Sequence, residues 1–191
     1  MSKAWLVSDT HFGHHGCYTK FTDLRTGEPI RPWASSADEG DEIIRETWNS
    51  RVRPGDRVYH LGDVAIPRKG LKCMEGLNGK KILLRGNHDI FKLKDYAEYF
   101  EDLRGTHKVS DLILTHYPIH PESIPYHWCR GVVHGHTHSN LVRLENDEPD
   151  PRFENVCIEH TDCGPIELEE VRARFPELGT FKEMFADEPV L

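Results

Sequence analysis

Asp9, His11, Asp63, Asn87, His116, His136 and His138 are the side chains best placed for chemistry, because each closely follows a short apolar run. Asp, His and Asn without cysteine make a borderline oxygen and nitrogen donor set. It suits Mn²⁺, Fe²⁺, Zn²⁺ or Ni²⁺ better than Ca²⁺ or a thiolate-bound cluster. Seven donors are more than one open catalytic site uses, and they suffice for two ions if one carboxylate bridges. Gly62, Gly86 and Gly135 each precede one of these ligands and let the backbone turn tightly enough to aim it.

Five elements must position these donors. Apolar runs at Ala4–Val7, Arg57–Leu61, Lys81–Leu84, Asp111–Leu114 and Gly131–Val133 are too short for typical helices and read as buried strands, as does a sixth at Asn155–Ile158. The first five lead into Asp9-Thr10-His11, Gly62-Asp63, Gly86-Asn87-His88-Asp89, His116 and Gly135-His136-Thr137-His138. Residues at adjacent strand ends of an α/β fold converge on one crevice. Ala37–Val52 reads as a helix: Ile44, Trp48 and Val52 recur at four-residue spacing between an acidic start and a basic end, and Pro54-Gly55-Asp56 stops it. Shorter helices are expected at Gly70–Leu77, Lys94–Leu103 and Ile166–Phe175, and loops at His11–Ser36, Tyr117–Arg130 and Glu145–Arg152, the last as a solvated turn. The tail after Pro176 is weakly patterned.

A chain of 191 residues supports one sizeable core, so a single domain over 1–191 is expected. No apolar run approaches bilayer length and no secretory segment fits the N-terminus, so no membrane partner and a cytoplasmic location are expected. The five cysteines contain no C-x-x-C pair and read as reduced thiols. A net charge of −8, with no dense Lys/Arg block, disfavours a long nucleic acid as partner. An anionic substrate then needs local positive charge, which bound metal ions supply.

Asp9-x-His11, Gly62-Asp63, Gly86-Asn87-His88-Asp89, His116 and Gly135-His136-x-His138 resemble, in order, the five motifs of the calcineurin-like metallophosphoesterase superfamily. The stretch Asp9-Thr10-His11-Phe12-Gly13-His14 is most similar to its small bacterial and phage single-domain members. The resemblance implies an α/β fold of αββα type, with two mixed sheets flanked by helices and carrying a dinuclear centre. It also implies that Asp9, His11 and His138 bind the first metal, that Asn87, His116 and His136 bind the second, and that Asp63 bridges them. His88 would be the acid that protonates the leaving oxygen or stabilises the phosphoryl charge, with Asp89 fixing its orientation. The expected cofactors are two divalent ions, Mn²⁺ ahead of Fe²⁺, Zn²⁺ or Ni²⁺. The expected reaction is hydrolysis of a small phosphate ester, a phosphodiester or nucleotide first, by a metal-bridging hydroxide.

Outside the motifs, His14 and His15 either touch substrate and the metal surroundings or simply face solvent. His60 and His134, one or two residues before ligands within strands, favour packing or support roles. Tyr117, His120, His127, Trp128 and Arg130 lie in a segment stiffened by Pro118, Pro121 and Pro125. That segment is either a substrate lid, with His14, Tyr117, Trp128 and Arg130 as substrate contacts, or a rigid cover for the sheet. Arg85 favours a structural ion pair over a phosphate contact. His160 and Asp162 are open between packing and function. Competing readings are a nuclease, a phosphomonoesterase, and a non-enzymatic scaffold, which the full ligand set argues against.

Overall fold

Runs such as Ala4–Val7 and Gly131–His134 are too short and too uniformly apolar to form amphipathic helices. In the computed structural model, which describes residues 2–180, they are almost wholly buried strands. The strands in chain order are β1 (Ala4–Val7), β2 (Arg57–His60), β3 (Lys80–Leu84), β4 (Asp102–Arg104), β5 (Thr106–Val109), β6 (Leu112–Thr115), β7 (Gly131–His134), β8 (Phe153–Asn155) and β9 (Ile166–Glu167). The helices are α1 (Gly16–Thr19), α2 (Ala37–Arg51), α3 (Leu93–Tyr96) and α4 (Leu168–Arg174).

Two mixed sheets result. The first has the order β4-β3-β2-β1-β9, parallel except for β9; the second has the order β5-β6-β7-β8, parallel except for β5. Side chains alternate across the first sheet, so Leu6, Tyr59, Leu61, Ile82 and Leu84 meet Leu112, Leu114 and Val133 of the second in the central core. Trp5, Val7, Val58 and Leu83 point the other way, onto Ile44 and Trp48 of α2 and Tyr96 of α3. The start of α2 is fixed by Ser36, whose side chain accepts from the Glu39 N–H at 3.2 Å. Leu168 and Val171 of α4 join the central core. The outer face of the second sheet is covered by Ile124, Trp128 and Cys129, from the segment after β6.

The two sheets meet where their strands end. Beyond β1, the Ser8 N–H donates to the Val156 carbonyl at 3.0 Å, and the Ile158 N–H donates to the Ser8 carbonyl at 3.2 Å. The loops after β1, β2 and β3 therefore face those after β6 and β7 across one seam. This is the sandwich that the motif resemblance implies.

Several local expectations are revised. Gly70–Leu77 forms a 3-10 turn, Arg68–Met74, because Gly70 packs so closely on the Phe12 carbonyl that a Cβ there would lie 2.2 Å from the oxygen. Lys94–Leu103 is helical only at α3; pairing of Ile82 with Asp102 and Leu84 with Arg104 draws the chain into β4. Ile166–Phe175 opens as a strand because Leu6 pairs with Ile166. The strand expected at Asn155–Ile158 ends at Asn155 and passes into a 3-10 turn, Ile158–His160. β5 was not expected: its polar edge sequence Thr106–Val109 carries no continuous apolar signal. Within the supposed solvated turn, Asp150 and Arg152 are buried and paired at 2.7 Å. All five cysteines are free. Among the described residues no helix is long and apolar enough to cross a membrane, and the tail from residue 181 lies outside the described residues.

Candidate metal centre

The expected ligands lie in an unusual backbone. Nine described non-glycine residues have positive φ, and five of them are Asp9, His11, Asp63, His136 and His138, with φ between 48° and 70°. Left-handed backbone is costly for such residues and persists only where surrounding structure enforces it, which is typical of functional sites. Of the three glycines that precede ligands, Gly62 has positive φ, +102°, and it also abuts the His116 ring. Gly135 is needed for space, since a Cβ there would stand 1.9 Å from Ser8 Oγ and 2.3 Å from Asp9 Oδ2.

Two groups of donor atoms result. Ligand atoms of Asp9, His11 and His138 all lie within 4.8 Å of one another, and so do those of Asp63, His116 and His136. Asp63 Oδ2 stands between the groups, 3.6 Å from His11 Nε2 and 3.5 Å from His116 Nε2. Asn87 Oδ1 approaches His116 Nε2 at 2.9 Å, so both atoms point to one spot. Asp9 Oδ1 faces His11 Nε2 at 3.6 Å and His138 Nε2 at 3.9 Å.

The donors fit divalent cations. Asp9 Oδ1 and both ring nitrogens of His11 are buried without a hydrogen-bond partner among the described residues, a costly state that a bound cation relieves. Burial pushes His11 down to about 4, leaving a neutral imidazole. Burial and then the neighbouring Asp9 carboxylate push Asp63 up; a cation between the two carboxylates removes that conflict. Three of the ligands are held from the side away from the metal. His116 Nδ1 donates to the Leu61 carbonyl at 2.7 Å and His138 Nδ1 to Glu159 Oε1 at 3.0 Å, which leaves the Nε2 lone pair of each ring for a metal. Asp9 Oδ2 accepts from Ser8 Oγ at 2.5 Å and from the His136 N–H at 2.8 Å, leaving Oδ1 for the metal.

Two residues that sequence reasoning missed support this arrangement. Arg31 is fully buried and donates to the Asp9 and Thr10 carbonyls at 2.6 and 3.0 Å, and its Nε donates to Glu159 Oε1 at 2.8 Å. Although burial pushes the Glu159 carboxyl up, Arg31 and His138 hold it down at about 2. His160, left open by the sequence, meets the His138 carbonyl at 2.9 Å through Nε2. His60 is a support residue as expected: Nδ1 accepts from the Gly62 N–H at 3.2 Å, so Nε2 donates to Thr10 Oγ1 at 2.9 Å. His134, also buried, donates from Nδ1 to the Gly135 carbonyl at 2.7 Å.

The remaining expected residues divide. His88 is exposed beside the first group, its ring centroid 5.4 Å from that of His11, and its N–H donates to Asp63 Oδ1 at 2.8 Å. Asp89 does not orient the His88 ring. Its carboxylate accepts from the backbone N–H groups of Asp63, Gly86 and Val64 at 2.8, 2.8 and 3.0 Å, so it fixes the loop that carries His88. Arg85 makes no ion pair among the described residues and donates instead to the Asp89 carbonyl. His14 lies near the centre, 5.6 Å from His11 between ring centroids, and the Tyr117 ring stands 4.5 Å from His136. Trp128 and Arg130 are corrected. Trp128 packs on the outer face of the second sheet beneath Lys108 Nζ, 3.8 Å away, and Arg130 pairs with Asp111 at 3.1 Å at the start of β7, the end remote from the ligands. The segment after Tyr117 covers the sheet, with Ile124 and Cys129 buried in its outer core.

No family model matches the sequence. The uncharacterized protein MJ1445 of Methanocaldococcus jannaschii is 30% identical over 174 residues, covering 88% of this chain and 89% of its own length. The chain belongs to the same family as MJ1445. The Gene 66 protein of Mycobacterium phage L5 is 28% identical over 176 residues, covering 74% of this chain and 80% of its own. Among solved structures, a protein of unknown function from Aquifex aeolicus, AQ665, superposes with a TM-score of 0.65 at 23% identity, over 91% of this chain and 99% of its own. That likeness establishes a shared fold.

Proposed function

We propose that the chain is a dinuclear metal-dependent phosphoesterase of the calcineurin-like type, acting on a small phosphodiester or nucleotide. The observation that carries this reading is the position of Asp63 Oδ2 between His11 Nε2 and His116 Nε2, at 3.6 and 3.5 Å, where one carboxylate serves two groups of donors. Asp9, His11 and His138 would hold one cation, Asn87, His116 and His136 the other, and Asp63 both. Bound there, a pair of divalent ions, Mn²⁺ first among the candidates, supplies Lewis acidity toward the phosphoryl oxygens and a nucleophilic water.

The chain's own residues do the rest. His88 faces solvent beside His11 on a loop tied down by Asp63 Oδ1 and Asp89, so its imidazole can give a proton to the leaving oxygen. Glu159 and the Leu61 carbonyl hold His138 and His116 with Nε2 directed inward. The net charge of −8 weighs against a polyanionic substrate.

The test is hydrolysis of matched aryl phosphate monoesters and diesters by chelator-stripped protein, with Mn²⁺, Ni²⁺, Zn²⁺ or Mg²⁺ returned, alongside metal analysis. The expected outcome is two ions per chain and turnover that depends on them, faster on the diester. Full turnover after complete metal removal would sink the reading.

A further inference from the structure

A cleft of about 580 Å³ opens directly beside the centre, lined by Lys20, Phe21, Leu24, Ile30, His136 and His138. Its volume falls within the range of small-molecule sites and exceeds what a phosphate alone needs. Two of its walls are apolar side chains held out in water: Phe21 is 40% exposed and Leu24 87% exposed. Lys20 at its rim is exposed and makes no ion pair among the described residues.

Both sides of the cleft are built rigidly. The apolar wall is a folded turn. The Ile30 N–H donates to the Phe21 carbonyl at 3.1 Å, Asp23 Oδ1 accepts from the Arg25 and Thr26 N–H groups at 2.9 Å each, and Arg25 grips Asp147 with two bonds of 2.8 and 2.9 Å. The Phe21 ring also stands edge-on to His14, 5.3 Å between centroids. On the facing side, the Asn155 amide nitrogen holds Thr137 Oγ1 and the His138 and Asn140 carbonyls at 2.9, 2.8 and 3.0 Å. A preformed apolar slot with one uncommitted cation suits a flat ring system attached to an anion.

We infer that this cleft is the subsite for the organic part of the substrate, and that the substrate class is a phosphate ester carrying a planar aromatic or heteroaromatic ring, such as a nucleotide. The inference rests on the phosphoesterase reading for the placement of the phosphate at the ligand groups. The ring lies against Phe21 and Leu24, and Lys20 faces the substrate's remaining negative charge.

Binding separates the two ideas. Titration calorimetry on Mn²⁺-reconstituted protein compares AMP, phenyl phosphate, ribose 5-phosphate and inorganic phosphate. Stacking of a base on an aromatic side chain predicts that AMP binds about tenfold or more tightly than ribose 5-phosphate. Phe21→Ala should bring that ratio close to one. Leu24→Ser, at a position too exposed to matter to folding, should lower it severalfold. Equal affinity of AMP and ribose 5-phosphate overturns the inference, as does an AMP preference that both variants retain, or absence of binding by all four ligands. An AMP preference removed by the variants, in protein that hydrolyses no ester, leaves the subsite standing and removes the phosphoesterase reading.

Discussion

Arg31 and Glu159 form a buried ion pair, 2.8 Å between Nε and Oε1, directly behind the histidine that completes the first donor group. The two residues are 128 positions apart in sequence, and the pair joins the loop between α1 and α2 to the turn after β8. One carboxylate oxygen thus receives the guanidinium and the His138 imidazole, while the guanidinium also holds the carbonyls of Asp9 and Thr10.

Glu159→Gln tests that relationship. The variant keeps the shape but leaves the Arg31 charge buried without its counter-ion, and such a loss typically costs about 3–5 kcal/mol. It also replaces the charged acceptor that fixes the His138 ring by a neutral amide oxygen, and disturbing such a support commonly lowers metal affinity about 10–100-fold. Denaturant melts and Mn²⁺ titration read the two effects separately. Unchanged stability and unchanged affinity together would show that the pair is idle.

Asp63 and His88 should separate binding from turnover. Asp63→Ala removes the one oxygen that lies between both donor groups, so metal content and activity should fall together. His88 lies outside both groups and meets the centre through an edge-on ring contact with His11 and its backbone N–H on Asp63 Oδ1. His88→Ala should retain two ions and lose about 10²–10⁴-fold in kcat, the usual worth of a positioned acid. Wild-type turnover in His88→Ala would remove His88 from the mechanism.

Gly135→Ala probes the close approach of β7 to β1. The new methyl would meet Ser8 Oγ and Asp9 Oδ2, and the backbone on both sides is tied across the seam. Relief requires moving a ligand. Destabilisation by about 1–3 kcal/mol, as for overpacked cores, should therefore accompany weaker binding of the first metal. A variant that melts early but binds metal normally would place the strain elsewhere.

These residues also show what the sequence reveals and what it hides. The ligands were legible because each follows a run too short and too apolar to be anything but a buried strand, and parallel strands deliver their ends to one edge. β1, β2, β3 and α2 were legible for the same reason: their local pattern and tertiary environment agree. Glu159 and Arg31 were not, since a single acid and a single arginine far apart in the chain carry no periodic signal; only the fold joins them. β4 and β5 were hidden because pairing with a neighbour overrode a weak local preference. Trp128 and Arg130 were misplaced because a loop's starting point near the site says nothing about the direction in which it leaves.

Asp41 gives the pH prediction. Its carboxylate is largely buried, Oδ2 accepts from the Gly13 N–H at 2.8 Å, and Oδ1 has no partner among the described residues. Burial raises it to about 6 from the ordinary 3.8, against the pull of the Gly13 and Cys73 hydrogen bonds. Between those two values the folded chain binds the proton more tightly than the unfolded chain does, so stability falls as pH rises through the window. Above it, ionised Asp41 is a standing cost. Asp41→Asn keeps an acceptor for Gly13 and removes the charge. It should gain about 1 kcal/mol at pH 7.5 once solvent screening is allowed for, seen as about 2–4 °C in Tm, and the advantage should vanish near pH 4. Thermal melts of both proteins across pH 4–8 measure the difference. A gap that stays constant across that range would mean that Asp41 is charged throughout and that its burial imposes no such penalty.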